Sequence, residues 1–226
     1  MKQNNLEDMQ AYFDLRYDCY ETIHTAVIDG GIESKQVIAS FFPENSSNLI
    51  DLGIGTGLEL KEIFKRFPNI QITGVDISEK MLERLKENYC NKKMELHHGN
   101  YLQYNFKKDY YNVALSVMTL HHYTRTVKID LYKKIAECLL TNGVYIECDY
   151  MISEAECANP QLKEDYFISE YKRLRKEQGL SNSIHYHYDI PYSVTNQIKM
   201  LKESGFQFVE EVWRNKNTVI LIAKKS

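Results

Sequence analysis

The stretch DLGIGTG, residues 51–57, sets a carboxylate just ahead of three glycines, Gly53, Gly55 and Gly57, at alternate positions. A glycine-rich turn lets backbone approach a ligand closely, and a helix that follows presents unpaired N–H groups and the positive end of a dipole. Both properties suit a nucleotide-bearing ligand. The spacing is G-x-G-x-G, with Leu58 where the dinucleotide fingerprint G-x-G-x-x-G carries its third glycine. Asp51 would repel a pyrophosphate and attract an ammonium group, so the ligand is expected to be cationic at this point. Asp76 ends the next apolar segment, where a carboxylate can accept hydrogen bonds from two ribose hydroxyls. Plainer roles exist for both features: a ligand-free turn, and a helix cap ahead of Ser78.

Residues able to move a proton gather after later apolar segments. His121 and His122 follow one in TLHHY, and Asp149 and Tyr150 follow another. His185 and His187 alternate in IHYHYDIP, residues 184–191, and share a side if that stretch is extended. A general base must lie within hydrogen-bond reach of the proton it removes, and the catalytic candidates are His121, Asp149, Tyr150, His185 and His187. Asp149 approaching His185 and His187 would make a two-His, one-carboxylate metal site. Spacing fixes no third ligand, and the neighbouring Tyr186, Tyr188 and Tyr192 fit an aromatic lid, so no metal is expected.

A scaffold must position these residues. Apolar residues recur at helical spacing from residue 6 to 42 and are broken at Gly30-Gly31, which predicts at least two helices. Strands are then expected at 49–53, 70–76, 94–98, 111–117 and 143–149. Helices at 58–67, 81–89 and 127–140 alternate with them, Ser78 capping the second. Such alternation means a mostly parallel sheet covered on both faces. Residues 152–190 break the rhythm and read as an insertion with a helix around 162–178. A helix at 194–204 and two strands joined by the short turn at 214–217 add an antiparallel edge. The expected fold is thus Rossmann-like α/β: a doubly wound, mostly parallel seven-stranded sheet ending in an antiparallel hairpin. One domain is expected, divided into a helical cap (1–43), a cofactor-binding core (44–151), a lid insertion (152–192) and a C-terminal helix and hairpin (193–226).

Composition narrows the function classes. Twenty-eight Lys and Arg against 31 Asp and Glu give a net charge of −3 without a basic block, which argues against nucleic acid as the main partner. The basic residues Lys172, Arg173, Arg175 and Lys176 are flanked by Glu170 and Glu177, as on a solvated helix face. No segment approaches the ~20 apolar residues of a membrane span, so a cytoplasmic protein is expected, as monomer or homodimer. The five cysteines, among them Cys157, lack C-x-x-C spacing and read as reduced thiols. Seventeen tyrosines against nine phenylalanines supply apolar walls with polar tips, suited to a closed pocket for a small amphipathic acceptor.

In order, LIDLGIGTG, ITGVDISEKML, HHGNYLQYNF, YNVALSVMTLHHY and LLTNGVYIECDY resemble the successive motifs of class I S-adenosylmethionine-dependent methyltransferases. The resemblance covers residues 45–150 closely and 193–226 more loosely. It implies S-adenosylmethionine as cofactor. Asp51 and the Gly53 to Gly57 backbone would face its amino-acid end, Asp76 its ribose, and Ile77 and Met81 its adenine. Asn100 stands where many members have Asp on the adenine amino group, and its carbonyl can accept the same bond. Tyr101 would stack or donate its backbone N–H, Ser116 would lie beneath the methionine part with Met118 near it, and Tyr17 would reach the carboxylate or pack between helices. The HH pair resembles a pocket-mouth sequence of small-molecule members.

The implied reaction is in-line methyl transfer to a small-molecule acceptor, in which positioning and exclusion of water matter most. Other readings are a methyltransferase acting on protein or RNA and a cofactor-binding module without turnover. A dinucleotide-dependent oxidoreductase is opposed by the glycine spacing and Asp51.

Overall fold

Strand pairing follows the apolar runs in the computed structural model, which describes residues 5–153, 156, 160–181 and 183–225. Cys157 lies outside the described residues. The strands are β1 (Glu7–Asp8), β2 (Asn48–Leu52), β3 (Gln71–Asp76), β4 (Met94–His98), β5 (Tyr111–Val117), β6 (Leu139–Tyr150), β7 (Tyr186–His187), β8 (Phe208–Asn215) and β9 (Thr218–Lys224). Seven of them form one sheet in the order β4-β3-β2-β5-β6-β9-β8. Neighbours from β4 to β6 are parallel, and β9 runs antiparallel to both β6 and β8. This is the expected α/β sheet with its antiparallel hairpin. The order reverses between β2 and β5, and an open α/β sheet offers its ligand crevice beyond the strand ends at such a switch point.

The helices are α1 (Met9–Thr22), α2 (Gly31–Ile38), α3 (Leu60–Arg66), α4 (Glu79–Asn88), α5 (Arg125–Cys138), α6 (Pro160–Glu177) and α7 (Val194–Glu203). Ser78 caps α4 by accepting from the Met81 N–H at 3.3 Å, a type of contact worth about 1 kcal/mol. At the N-terminal end, α1 runs into a π-helical turn at Ile23–Val27. Gly30, at φ +68°, then lets the chain turn into α2. Two expected boundaries move. Residues 58–59 stay in the glycine turn, so α3 starts at Leu60. Leu139 pairs with Tyr111 across an irregularity, so β6 begins before Gly143 and α5 ends at Cys138.

Each sheet face is apolar. Ile50, Leu52, Ala114 and Tyr145 pack on one side under α5 and α7, and Leu49, Ile72, Leu115 and Ile146 pack on the other with Ile38, Leu60 and Leu85. A second pairing has no signal in the sequence. β1 and β7 form a two-residue antiparallel ladder, Glu7 opposite His187 and Asp8 opposite Tyr186. This ladder, with the Leu6 N–H donating to Gln178 Oε1 at 3.1 Å, ties the start of the chain to residues 178–187 and holds α1 across the ends of β2 and β5.

Candidate active site

The first half of the site is the glycine turn between β2 and α3. Gly53 lies at φ +73°, and a Cβ there would meet Thr119 Oγ1 at 2.6 Å. Its N–H donates to the Val75 carbonyl at 2.8 Å, which docks the turn on β3. The Gly55 and Ser78 N–H groups each donate to one oxygen of Asp76 at 2.8 Å. Burial pushes the Asp76 carboxyl up to about 6 although both bonds favour its charge. Beneath the turn, Asp51 and Glu59 are buried. Neither Asp51 oxygen, nor Glu59 Oε1, has a hydrogen-bond partner among the described residues. Burial, then the nearby Glu59 charge, holds Asp51 well above the ordinary carboxylate range.

A cavity of about 520 Å³ opens beside this turn. Of the residues expected to bind cofactor, Gly53, Gly55, Asp76, Ile77, Met81, Asn100 and Tyr101 line it. Asn100 Oδ1 accepts from the Leu102 N–H at 2.9 Å, which fixes its amide. Tyr101 donates its hydroxyl to the Thr119 carbonyl at 3.2 Å. Four expected residues are set apart from the cavity lining. Asp51 lies buried beneath the turn. Gly57 packs where a Cβ would strike Leu85 at 2.4 Å. Ser116 is hydrogen-bonded to the Tyr145 hydroxyl at 2.7 Å inside the sheet. The Tyr17 ring lies under Arg84, with the guanidinium 5.3 Å from the ring centre. The α1 residues that do face the cavity are Met9, Phe13 and Tyr20. Their i, i+4, i+11 spacing marks one helical face, a signal available in the sequence.

A second cavity, of about 850 Å³, adjoins the first and shares Phe13, Tyr20, Met118 and His122 with it. Met118 sits at the junction at φ +51°, a left-handed conformation that is costly for a side chain of its size. Tyr12, Arg16, His121, Tyr150, His187 and Asp189 continue the wall. Tyr12 stacks on His187 with ring centres 3.4 Å apart and planes 7° from parallel. The Arg16 guanidinium covers the other side of the system, 3.7 Å from the Tyr12 ring centre, and pairs with Glu7 at 2.9 Å.

Histidines converge here. A short 3-10 turn, Leu120–His122, follows β5. Asp149, at the end of β6, clamps that turn: its Oδ2 accepts from the Leu120 N–H at 2.9 Å and its Oδ1 contacts His121 Nδ1 at 2.5 Å. The Ile190 N–H donates to the His121 carbonyl at 2.7 Å, bringing the loop after β7 alongside. As a result Asp189 Oδ1 lies 3.1 Å from His122 Nδ1, 3.7 Å from His121 Nε2 and 3.9 Å from His187 Nε2. Burial works against a charged His121, but the charge and hydrogen bond of Asp149 outweigh it and raise its pKa. Burial and the neighbouring His121 lower that of His122, and burial pushes His187 down to about 3. Asp189 is drawn below the ordinary carboxylate range by His122 and His121 in spite of its own desolvation.

The grouping expected from the sequence, His185 and His187 with Asp149, is corrected by these contacts. β7 covers Tyr186 and His187 alone, and the His185 ring packs edge-on against Tyr123, 5.4 Å between centres. Asp149 is bound to His121, and the carboxylate beside His187 is Asp189. Tyr150 lines the second cavity with its ring centre 6.4 Å from that of His121. Asp189, Tyr12, Phe13 and Arg16 went unrecognised as site residues. The i, i+2, i+4 placement of His185, His187 and Asp189 in IHYHYDIP was the available signal for the first of them.

Comparison with known proteins adds independent findings. A methyltransferase-domain family model matches residues 49–143. A protein of Sulfurimonas denitrificans named carboxy-S-adenosyl-L-methionine synthase is 31% identical over 207 residues, 85% of this chain and 85% of that protein. A crystal structure of a Nostoc punctiforme protein superposes with a TM-score of 0.71 at 18% identity, covering 98% of this chain and 62% of that one. Human N-acetylserotonin methyltransferase, solved in complex with S-adenosylmethionine, gives a TM-score of 0.65 at 14% identity, covering 99% of this chain and 64% of that one.

Proposed function

This chain belongs to the class I S-adenosylmethionine-dependent methyltransferase family, and on that premise we propose that it transfers a methyl group from S-adenosylmethionine to a small-molecule acceptor held in the second cavity. The observation that carries the reading is the junction of the two cavities at Phe13, Tyr20, Met118 and His122. One chamber has cofactor chemistry, and the adjoining one has aromatic walls and titratable groups.

The residues of the first chamber fit the cofactor. Neither Asp51 oxygen beneath the glycine turn has a hydrogen-bond partner among the described residues, and a cation such as the ammonium of a methionyl group would stabilise that buried carboxyl. Asp76, bound to backbone through one lone pair on each oxygen, keeps others for ribose hydroxyls. Ile77 and Met81 offer apolar surface for adenine, and Asn100 a carbonyl for its amino group. S-adenosylmethionine supplies a methyl group on a positively charged sulfur. The protein's part is to align an acceptor with that group and exclude water, an effect worth roughly 7 to 11 kcal/mol for well-oriented reactants. α1 supports both tasks by roofing the two cavities through Met9, Tyr12, Phe13 and Tyr20. We assign residues 152–192 a lid role on the same grounds, because their β7 is clasped to β1 and carries His187 and Asp189 to the second cavity.

A macromolecular acceptor is less well supported. Arg173, within the basic run of α6, is paired with Glu170 at 2.9 Å and Glu177 at 2.5 Å. A second reading, carboxylation of the cofactor itself, is favoured by the name of the Sulfurimonas relative, and Arg16 is a cation on the second cavity that would face a carboxylate. Mass spectrometry after incubation with S-adenosylmethionine and pooled metabolites separates the two. Appearance of S-adenosylhomocysteine with a methylated acceptor supports methyl transfer. A carboxylated S-adenosylmethionine without S-adenosylhomocysteine would overturn it.

A further inference from the structure

The described residues contain a single group of three or more metal-ligating side chains with converging donors: His121, His122 and Asp189, each offering one atom, all within 4.8 Å of one another. Donors held ~2.1 Å from one ion lie about 3 to 3.4 Å apart in octahedral or tetrahedral arrangements. The Asp189 Oδ1 separations of 3.1 Å to His122 Nδ1 and 3.7 Å to His121 Nε2 are near that spacing, and the side chains would close further on an ion. His187 Nε2 stands 3.9 Å from the same oxygen.

Two further features are those of a built site. His121 Nδ1 meets Asp149 at 2.5 Å, so its Nε2 is turned to the cavity with the ring fixed by a carboxylate, the outer-shell support typical of metal-bound histidine. The donors also sit on segments already clamped by backbone bonds, Leu120 to Asp149 at 2.9 Å and Ile190 to His121 at 2.7 Å.

We propose that His121 Nε2, His122 Nδ1 and Asp189 Oδ1 bind one first-row divalent cation, with His187 Nε2 beside it as a further donor. Two imidazoles and a carboxylate select a cation of the zinc, cobalt or ferrous type over magnesium or calcium. The same cavity, walled also by Tyr12 and Phe13, gives the site access to a ligand. An acceptor whose oxygen or nitrogen lone pair enters such a position would be oriented toward the cofactor chamber. That consequence rests on the reading of this cavity as the acceptor pocket; cation binding does not.

The test uses the full chain, freed of metal by a chelator and titrated with Co²⁺ in the absence of cofactor and acceptor. Visible d–d absorption and heat are followed. One Co²⁺ per chain is expected. Asp149→Asn should weaken it roughly 10- to 100-fold through the lost outer-shell bond. Asp189→Asn and His122→Gln should weaken it further, and His185→Ala should leave it unchanged. Stabilisation of each variant by S-adenosylhomocysteine reports that it is folded. Absence of stoichiometric uptake by the unmodified chain, or uptake that survives Asp189→Asn, overturns the proposal. Because S-adenosylhomocysteine binding is read separately, that failure would leave the proposed function standing.

Discussion

Asp76 links the fold to cofactor binding through a titration. Its oxygens hold the Gly55 and Ser78 N–H groups at 2.8 Å, and burial raises its pKa from 3.8 to about 6. The folded protein therefore binds this proton more tightly than the unfolded chain does. The contribution to stability is full below about pH 4 and is lost as the pH rises through about 6. Roughly two pKa units at 1.36 kcal/mol each make it about 3 kcal/mol. Asp76→Asn removes the titration, and its single amide oxygen can serve one of the two N–H groups well. Urea unfolding of both proteins from pH 4 to 7 isolates the effect of this site, because the raised Glu59 and Glu147 carboxyls cancel in the difference, and only Asp51, which the Asp76 charge helps to raise, adds a lesser contribution. The stability advantage of the unmodified protein over the variant should shrink by about 2.4 kcal/mol across that range. Ribose hydroxyls donate to the charged carboxylate, so the affinity of the unmodified protein for S-adenosylhomocysteine should rise through about pH 6 and level off, while that of the variant stays flat. Parallel stability curves, or a flat affinity profile in the unmodified protein, would refute the reasoning.

Two further substitutions separate binding from packing. Gly53→Ala adds a Cβ 2.6 Å from Thr119 Oγ1 on the lining of the cofactor cavity; the turn or Thr119 must shift into the space a ligand would occupy, so calorimetry should find S-adenosylhomocysteine bound about tenfold more weakly or worse. Gly57→Ala presses on Leu85 and Leu60 instead, at 2.4 and 2.9 Å, and should lower the melting temperature while the folded fraction keeps its affinity. Glu147, pushed up to about 7 by burial, accepts from Tyr132 at 2.9 Å and Gln197 at 2.7 Å and lies 3.9 Å from buried Lys128. Glu147→Ala leaves that ammonium without its carboxylate and should cost about 3 to 5 kcal/mol in urea unfolding.

The sheet was legible in the sequence because its strands are short apolar runs bounded by turns, as at residues 49–53 and 111–117. The cofactor chamber was legible in part for the same reason: Gly53, Gly55 and Asp76 lie at ends of adjacent strands, so their spacing along the chain carries over into space. The second cavity was not legible. Its walls come from α1, the 3-10 turn after β5 and the loop after β7, joined by the β1–β7 ladder. Two-residue strands leave no periodic pattern, and the choice between His185 and His187 depends on a local twist that alternation alone does not record. Tyr17 illustrates the same limit within a helix. Its neighbour one turn away, Tyr20, faces the glycine turn, and helical periodicity does not say which tyrosine turns inward until the docking of α1 on α4 is known.

The ladder between β1 and β7 also governs traffic. α1 lines both chambers and Tyr20 stands over the turn at Gly55, so entry of a molecule the size of the cofactor is expected to require a shift of Tyr20 and α1. Two residue pairs hold Glu7 and Asp8, just ahead of α1, at about 1 kcal/mol for each hydrogen bond, and small hinged segments so held typically open on the microsecond-to-millisecond scale. Cofactor exchange is thereby linked to the acceptor side, because His187 belongs both to the ladder and to the wall of the second cavity.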